Sequence, residues 1–341
     1  MAGRLKLRRG RVVATDPLEV EVGGERRRAW ADEALLGEMH EGDEVVVNVA
    51  ALDLKLGSGG FDVVHVNLTR GLDGSGVDGA HVMKLNYTSL QHPVEPVEEQ
   101  AVGDIADMQR KAPPLRVLVL PLHGHLAPAV WAAAQAAPGL RVGYVQTGGG
   151  ALPGSFSRDV KQLRERDLLV GHMTAAPAYG GEREALSTVA ALDAAASLGW
   201  GVALVGPGPG IIGSDTRYGH GGMAALDSAH AALSLDLPTI ISPRLSSADP
   251  RDRHRGLSHH TRTVLDLLLT PVDVAIPAGE PEVAAAFEHT QHHVHQIPAD
   301  LDGYAAADLP ATTMGRSLAD DPLFFLAPIA AGTFLGSHLS S

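Results

Sequence analysis

The amino-acid sequence predicts an α/β protein in two parts. These are an N-terminal small β-barrel-like domain over residues 1–90 and a C-terminal three-layer α/β domain with a mainly parallel sheet over 114–341. Two observations predict this. The first part holds short β-rich runs separated by turn residues, with no helical period between them. From Leu115 onward, apolar runs bounded by Gly or Pro alternate with helical patterns at roughly 25–35 residues per unit, the rhythm of a parallel sheet covered on both faces.

The early runs are Arg11–Ala14, Leu18–Val22, Glu44–Val49, Asp62–Asn67 and Ala80–Leu85. Asp16-Pro17, Gly23-Gly24, Gly42-Asp43 and the glycine-rich stretches 57–60 and 71–79 divide them. Such a series forms a small barrel or sandwich. Residues 91–113 are rich in proline and charge and read as a linker with a short helix around Gly103–Gln109. In the second part, strands fall at 115–120, 141–146, 168–173, 201–205, 238–242 and 272–276. Leu186, Val189 and Leu192, and then Met223, Leu226 and Leu233, recur at spacings that line one helix face. The alanine abundance reads as general composition. Leu323–Leu335 is an apolar run of 13 residues containing Pro328, too short for a bilayer span, and reads as a buried helix.

Hydrophobic residues make up 45% of the 341-residue chain and aromatics only 4%, so alanine, valine and leucine must fill the core. The formal charge of −13 argues against nucleic acid as a general partner. The absence of cysteine excludes disulfides, thiolate metal sites and cysteine nucleophiles. The start, MAGRLKLRRGRVV, carries charge where a signal peptide needs an apolar core, so the expected compartment is the cytoplasm, with no membrane partner. The barrel region is locally basic, but only Trp30 lies nearby to stack on bases. It reads as a docking or homo-oligomerisation module.

Two segments carry the functional expectation. Residues 206–222, GPGPGIIGSDTRYGHGG, place seven glycines between a strand run and a helix pattern. A strand-to-helix turn of this kind offers backbone N–H groups and positive helix-end potential to an anion, and open parallel sheets bind ligands at the carboxyl ends of their strands. Gly208, Gly210 and Gly213 supply close backbone approach, and Ser214, Asp215, Thr216, Arg217 and His220 supply side chains. The loop matches neither the Walker nor the dinucleotide glycine pattern, and an ordinary turn-rich surface loop would show the same composition. The second segment, DPRDRHRGLSHHTR (249–262), brings Arg251, Arg253, Arg255 and Arg262, whose forks suit carboxylates and phosphates. Ser258 is the expected N-cap of a helix through Leu269, with His259 and His260 in its first turn, where the helix end disfavours imidazolium. The bland alternative is a salt-bridged surface turn.

Three further segments are weaker signals. The strand end VLPLHGHLAP has an α/β-hydrolase flavour, but the chain lacks the G-x-S-x-G elbow, GGALPGSFS at 149–157 being the nearest. His123 and His125 remain as an H-x-H pair that, with His260, would ligate a divalent metal, although a satisfied, hydrogen-bonded histidine is the commoner reading of either one. In EHTQHHVH (288–295), His289 and His293 have helical metal-ligand spacing, while His293, His295 and Ile297 alternate as on a strand. Gly148–Gly150, after the strand in YVQTGGG, would close over a ligand at the same sheet edge.

The segments HVMKLNYTSLQ (81–91), GPGIIGSDTRYGHGG (208–222), DPRDRHRGLSHHT (249–261) and TMGRS (313–317) resemble a bacterial family, domain of unknown function 3866. The resemblance runs over nearly the whole chain. It implies a bacterial cytoplasmic protein with the same two-part layout and carries over no catalytic residues. The related pattern has an acid after Thr147, giving T-D-G, where this chain has Gly148.

The expected function is an enzyme acting on an anionic, phosphorylated or carboxylated metabolite. Gly208–Gly213 and the arginines would hold the anion, with His259 or His260 as general base or metal ligand and Asp252 orienting it. The competing reading is a non-catalytic metabolite or nucleotide sensor whose barrel contacts a partner. A purely structural assembly protein would leave the glycine loop unexplained.

Overall fold

A computed structural model describes residues 3–56, 59–100 and 115–337. The chain divides into two units, Met1–Val94 and Glu95–Ser341. The helix expected around Gly103–Gln109 lies outside the described residues.

The first unit is a closed five-stranded barrel. Strands β1 (Leu7–Thr15), β2 (Leu18–Val22), β3 (Glu25–Trp30), β4 (Glu44–Asn48) and β5 (Asp62–Asn67) close in the order β1-β2-β3-β5-β4. The β3–β5 pairing is parallel and the others antiparallel, the connectivity of an OB-type barrel. Alternation explains it: Val20, Val22, Val45, Val47 and Val64 point inward and are buried together with Val12 and Met39. The short helices α1 (Glu33–Leu36) and α2 (Ala50–Asp53) join strands at the rim.

Sequence reading missed β3, because ERRRAW looks like a charged turn. In the barrel, Arg26 and Arg28 stand opposite Glu21 and Glu19 on β2, cross-strand pairs of opposite charge. Arg27 binds Asp62 and Asp53, both at 2.7 Å. The local excess of arginine is thus largely matched across the sheet. Ala80–Leu85 lies outside the barrel: β6 (Val82–Lys84) pairs with β7 (His92–Val94) as a separate hairpin. Residues read as linker are therefore partly strand, and the helical turn α3 (Val97–Gln100) buries Val97 in the core of the second unit.

The second unit is an eight-stranded, all-parallel sheet with helices on both faces. Its strands are β8 (Arg116–Val119), β9 (Val142–Thr147), β10 (Gly171–Ala175), β11 (Arg183–Ala185), β12 (Val202–Pro207), β13 (Thr239–Ile241), β16 (Asp273–Pro277) and β17 (His293–Ile297). The short hairpin β14 (Leu245–Ser246) and β15 (Gly256–Leu257) is inserted after β13. The sheet order is β11-β10-β9-β12-β8-β13-β16-β17. The central strands are buried along their whole length, as a doubly covered parallel sheet requires. The strand alternative for His293, His295 and Ile297 is the one observed, as β17, so His289 and His293 do not share a helix face.

On one face lie α6 (Thr188–Ser197), α7 (Ala224–Leu233), α8 (His259–Leu267) and α9 (Pro281–Ala285). On the other lie α4 (Leu126–Ala136), α5 (Arg158–Glu165), α10 (Leu301–Ala305) and α11 (Pro322–Ser337). The expected helix faces need correcting. Leu192 is buried as expected, but Leu186 and Val189 are exposed, and α6 completes its buried face with Ala191, Ala194 and Ala195. On α7 the fully buried positions are again small, Ala225, Ala229 and Ala232, with Met223, Leu226 and Leu233 half-buried around them. Alanine here is a packing requirement: small side chains let helices sit close to the sheet and to one another. The same rule joins α4 to α11. A Cβ at Gly332 would run into the Ala129 carbonyl and the Ala132 side chain, and one at Gly336 into Ala136. The α11 helix is buried, including Phe324, Phe325 and Pro328. Among the described residues no helix is long and apolar enough to cross a membrane.

Gly332→Val should therefore force the two helices apart and destabilise the second unit by about 3 kcal/mol, the upper end for overpacking a tight core. Urea denaturation followed by circular dichroism checks this, and an unchanged midpoint would show that the helices do not pack this closely.

Candidate active site

Strands β8, β12 and β13 are neighbours, but the helix after β8 packs on one face and those after β12 and β13 on the other. That reversal opens a crevice at the carboxyl ends of the strands, where open α/β sheets bind ligands. A cleft of about 530 Å³ occupies it, a size suited to a small metabolite. Five segments line it: Leu122–Gly124 after β8, Asp159 on α5, Pro209–Asp215 after β12, residues between Arg244 and His260 after β13, and Thr312–Met314.

Two of the expected loops thus meet on one rim. Gly210, Gly213, Ser214 and Asp215 line the cleft from the glycine loop, and Arg251, Arg253 and His260 line it from the arginine segment. Arg253 donates to Asp215 at 2.5 Å, joining the two loops directly. The glycine loop folds back on itself through the Gly213–His220 bridge, and Ser214 and Thr216 hydroxyls 2.9 Å apart hold its tip. Gly149 after β9 lies against its end, where a Cβ on Gly221 would collide with the Gly149 carbonyl. Gly208 is buried behind the cleft against Gln146 and Ala151.

Other expected residues stand elsewhere. Arg217 pairs with Asp266 at 3.0 Å on the outer surface, and Thr216 is taken up by the loop tip. Arg255 is not part of the cleft lining; its guanidinium reaches the Asp249 carbonyl at 3.5 Å and stands 3.9 Å from Asp252. Asp252 is 97% exposed, and among the described residues it pairs with Arg255 and meets no histidine, so it does not orient one. A hydrated surface position costs a carboxylate nothing, and the buried acid of the segment is Asp249.

Asp249 is fully buried and organises the site. Arg251 binds it through both carboxylate oxygens at 2.9 Å, Arg244 reaches it at 3.3 Å, and Arg316 stands 3.9 Å away. Burial pushes its carboxyl up, but hydrogen bonds and charge from Arg251, with charge from Arg244, hold it far below the ordinary range. Asp321, also fully buried, accepts from Ser246, Ser247 and Arg316. Arg244 is itself buried, which lowers its guanidinium to about 10, and its Nε finds no acceptor among the described residues. Sequence reading missed both arginines. Arg244 follows a strand run at its carboxyl end, and Arg316 sits in TMGRS, so position alone could have flagged them.

The histidines gather beside this cluster. Ser258 caps α8 as expected, accepting from the His260 amide at 3.2 Å, and also meets His254 Nδ1 at 2.7 Å. The His220 ring stacks on His260 with centroids 3.5 Å apart, and His254 and His259 lie 4.7 and 4.3 Å from His260. Burial, then the nearby arginine charges, lowers His254 to about 3. His260, His259 and His220 are lowered too, burial again leading.

The pair His123 and His125 does not project from a strand end. Both lie in a buried 3-10 turn. His123 lines the cleft, its Nε2 2.7 Å from Ser157 Oγ and 3.9 Å from Asp159. His125 turns away, with Nδ1 3.0 Å from Ser242 Oγ and its ring edge-on to Phe324. The expected metal set His123, His125 and His260 is therefore not assembled. Among the described residues the histidine group that brings three donor atoms together is His254, His259 and His260. Gly148 contributes nothing there and packs against Pro177.

Removing the carboxylate of Asp249 should leave three guanidinium groups facing one another. Asp249→Ala should cost about 3–5 kcal/mol, as for other broken buried ion pairs, measured by urea unfolding. A loss under about 1 kcal/mol would show that water already screens the cluster. A second expectation concerns pH. Burial lowers His123 and His172 to about 4 and His125 to about 3, against an ordinary 6.5. Below 6.5 the unfolded chain takes up protons that the fold refuses. Stability should hold above about pH 6.5 and fall steadily toward pH 4. Calorimetric Tm across this range reads it, and a Tm flat to pH 4 would refute it.

Three of the four segments that carry the family resemblance, those at 208–222, 249–261 and 313–317, contribute residues to this one cleft. No curated protein and no solved structure matches the chain. The model of a protein family of unknown function, DUF3866, matches residues 28–332, and the chain belongs to that family.

Proposed function

We propose that the chain is an enzyme acting on a small anionic molecule, phosphorylated or carboxylated, held in the cleft between the glycine loop and the arginine segment. One observation carries the reading. Three guanidinium groups, Arg244, Arg251 and Arg316, face two buried carboxylates, Asp249 and Asp321, so the cluster keeps one unmatched positive charge. Arg244, which lines the cleft, keeps an unused donor at Nε. A buried cation with a free N–H is costly unless an anion answers it.

The cleft also holds what chemistry needs besides binding. The lowered values of His123 and His260 leave neutral lone pairs at the cleft wall. Burial raises Asp159, beside His123, toward its protonated form. An anion bound among these groups raises the proton affinity of each imidazole, so the substrate itself completes an acid–base pair across the cleft. His259, behind His260, supplies a further neutral nitrogen. The Gly210–Gly213 backbone and Arg253 would fix the orientation of the anion.

Arg253 is shared with Asp215, which gives the test two arms. Arg253→Ala should weaken binding of phosphate or carboxylate ligands about 10- to 100-fold, the value of one charge-assisted contact. Asp215→Asn frees the guanidinium and should tighten it. Thermal-shift titration with a panel of phosphorylated and carboxylated metabolites reads both, and equal shifts in all three proteins would remove the anion site. Undiminished affinity without turnover of any bound phosphate or acyl compound would leave a sensor in place of an enzyme.

A further inference from the structure

We propose that His254, His259 and His260 bind one divalent transition-metal ion of the zinc class, with an open coordination position facing the cleft. This goes beyond the anion reading and stands on the donor geometry by itself. Each of the three residues offers one ring nitrogen, and these nitrogens lie within 4.8 Å of one another. Metal–nitrogen bonds of about 2.0–2.1 Å in tetrahedral geometry need donors roughly 3.3 Å apart, so modest side-chain rotation closes the set around an ion.

The surroundings are those of a metal site more than of a hydrogen-bonded core. The Nε2 atom of His259 is buried and meets no partner among the described residues, although an orphaned polar atom is expensive. The Nδ1 atom of His254 is tied to Ser258 Oγ at 2.7 Å, which leaves its Nε2 free. Outer hydrogen bonds of this kind fix the orientation of metal-binding imidazoles. Ser258 is in turn fixed as the cap of α8, so one residue positions two of the three ligands. His220 stacked on His260 holds the third ring in its plane.

Donor chemistry selects the ion. Three imidazoles and no carboxylate or thiolate suit zinc, cobalt, nickel or copper and do not suit magnesium or calcium. Three protein ligands leave at least one position for water or substrate, the pattern of catalytic sites. His254 and His260 line the cleft, so that position opens into it. Arg244 Nη1 stands 3.4 Å from His260 Nδ1, so that ring has its Nε2 to offer the ion, and Asp249 and Asp321 match all but one of the charges of Arg244, Arg251 and Arg316 while Asp215 matches Arg253. Neutral ligands also leave the full charge of the ion available to an anion in the cleft.

Full-length, tag-free protein stripped with chelator and titrated with cobalt(II) alone tests the proposal, with visible absorption and calorimetry as readouts and zinc as competitor. One equivalent should bind, and zinc should displace it. His254→Ala and His259→Ala should each weaken binding at least about 100-fold, since even outer partners of metal ligands are worth 10–100-fold. His259 is only half-buried, so its variant should keep the fold, which circular dichroism verifies. His289→Ala, outside the site, should bind cobalt as the parent does, and Arg253→Ala, which removes a positive charge acting on His259, should bind it at least as tightly. No stoichiometric binding by the parent protein, or undiminished binding by folded His254→Ala and His259→Ala, overturns the proposal. Metal bound by Arg253→Ala after its anion response is lost separates this failure from failure of the anion reading.

Discussion

The second unit depends on the buried carboxylate of Asp249. It draws Arg244 from the end of β13, Arg251 from the following turn and Arg316 from the segment before α11 onto one point. None of these segments belongs to a regular element long enough to place it by packing alone. Without a common counter-ion, three guanidinium groups at this distance would repel and the loops would spread into solvent. Asp321 completes the arrangement by holding Ser246, Ser247 and Arg316. Removing two charges from water costs several kcal/mol each. The network tolerates that cost because nearly every carboxylate lone pair is met by a guanidinium, hydroxyl or amide donor.

The cluster sits where the topology permits. A parallel sheet delivers every strand end to the same edge, and a reversal of helix placement between β8 and β12 leaves that edge uncovered there. The fold supplies the gap and the charged cluster shapes its wall. Glycines do the rest: Gly149 and Gly221 pass so closely that neither tolerates a side chain toward the other, which brings the loop after β9 against the loop after β12.

Much of the framework was legible because it follows from periodicity. Apolar runs bounded by turn residues marked β8, β9, β10, β12, β13 and β16, and alternation marked most of the barrel. The misses have physical causes. In β3, cross-strand glutamates satisfy the arginines, so a charged strand hides from a hydrophobicity pattern. The strand β11 is only three residues long, and the sequence of β17, a histidine-rich sheet edge, fits both a strand and a helix-face reading. On α6 two of the three large apolar residues misled, because the crowded face takes alanine beside Leu192 and leaves Leu186 and Val189 outside, and on α7 alanines are the fully buried positions with Met223, Leu226 and Leu233 packed around them. Segment composition pointed to the two loops that meet at the cleft but not to the acid that is buried there. Asp249 and Asp252 are equivalent in sequence, and only the turn between them decides which is buried. Arg316, more than 60 residues further along the chain, joins through a contact that no local pattern encodes.

The arginines and histidines serve one electrostatic purpose. Buried imidazoles next to fixed positive charge cannot hold a proton, so His254 and His260 remain neutral where a free histidine would be partly charged. The guanidinium groups that would favour the proposed anion in the cleft are thereby the groups that keep nitrogen lone pairs available beside it. An anion entering the cleft offsets that field and returns basicity to the imidazoles, while an ion on the imidazoles would add to the attraction for the anion. Either occupant strengthens the case for the other, and this mutual dependence follows from placing uncompensated positive charge and unprotonated nitrogen within one wall of a cleft.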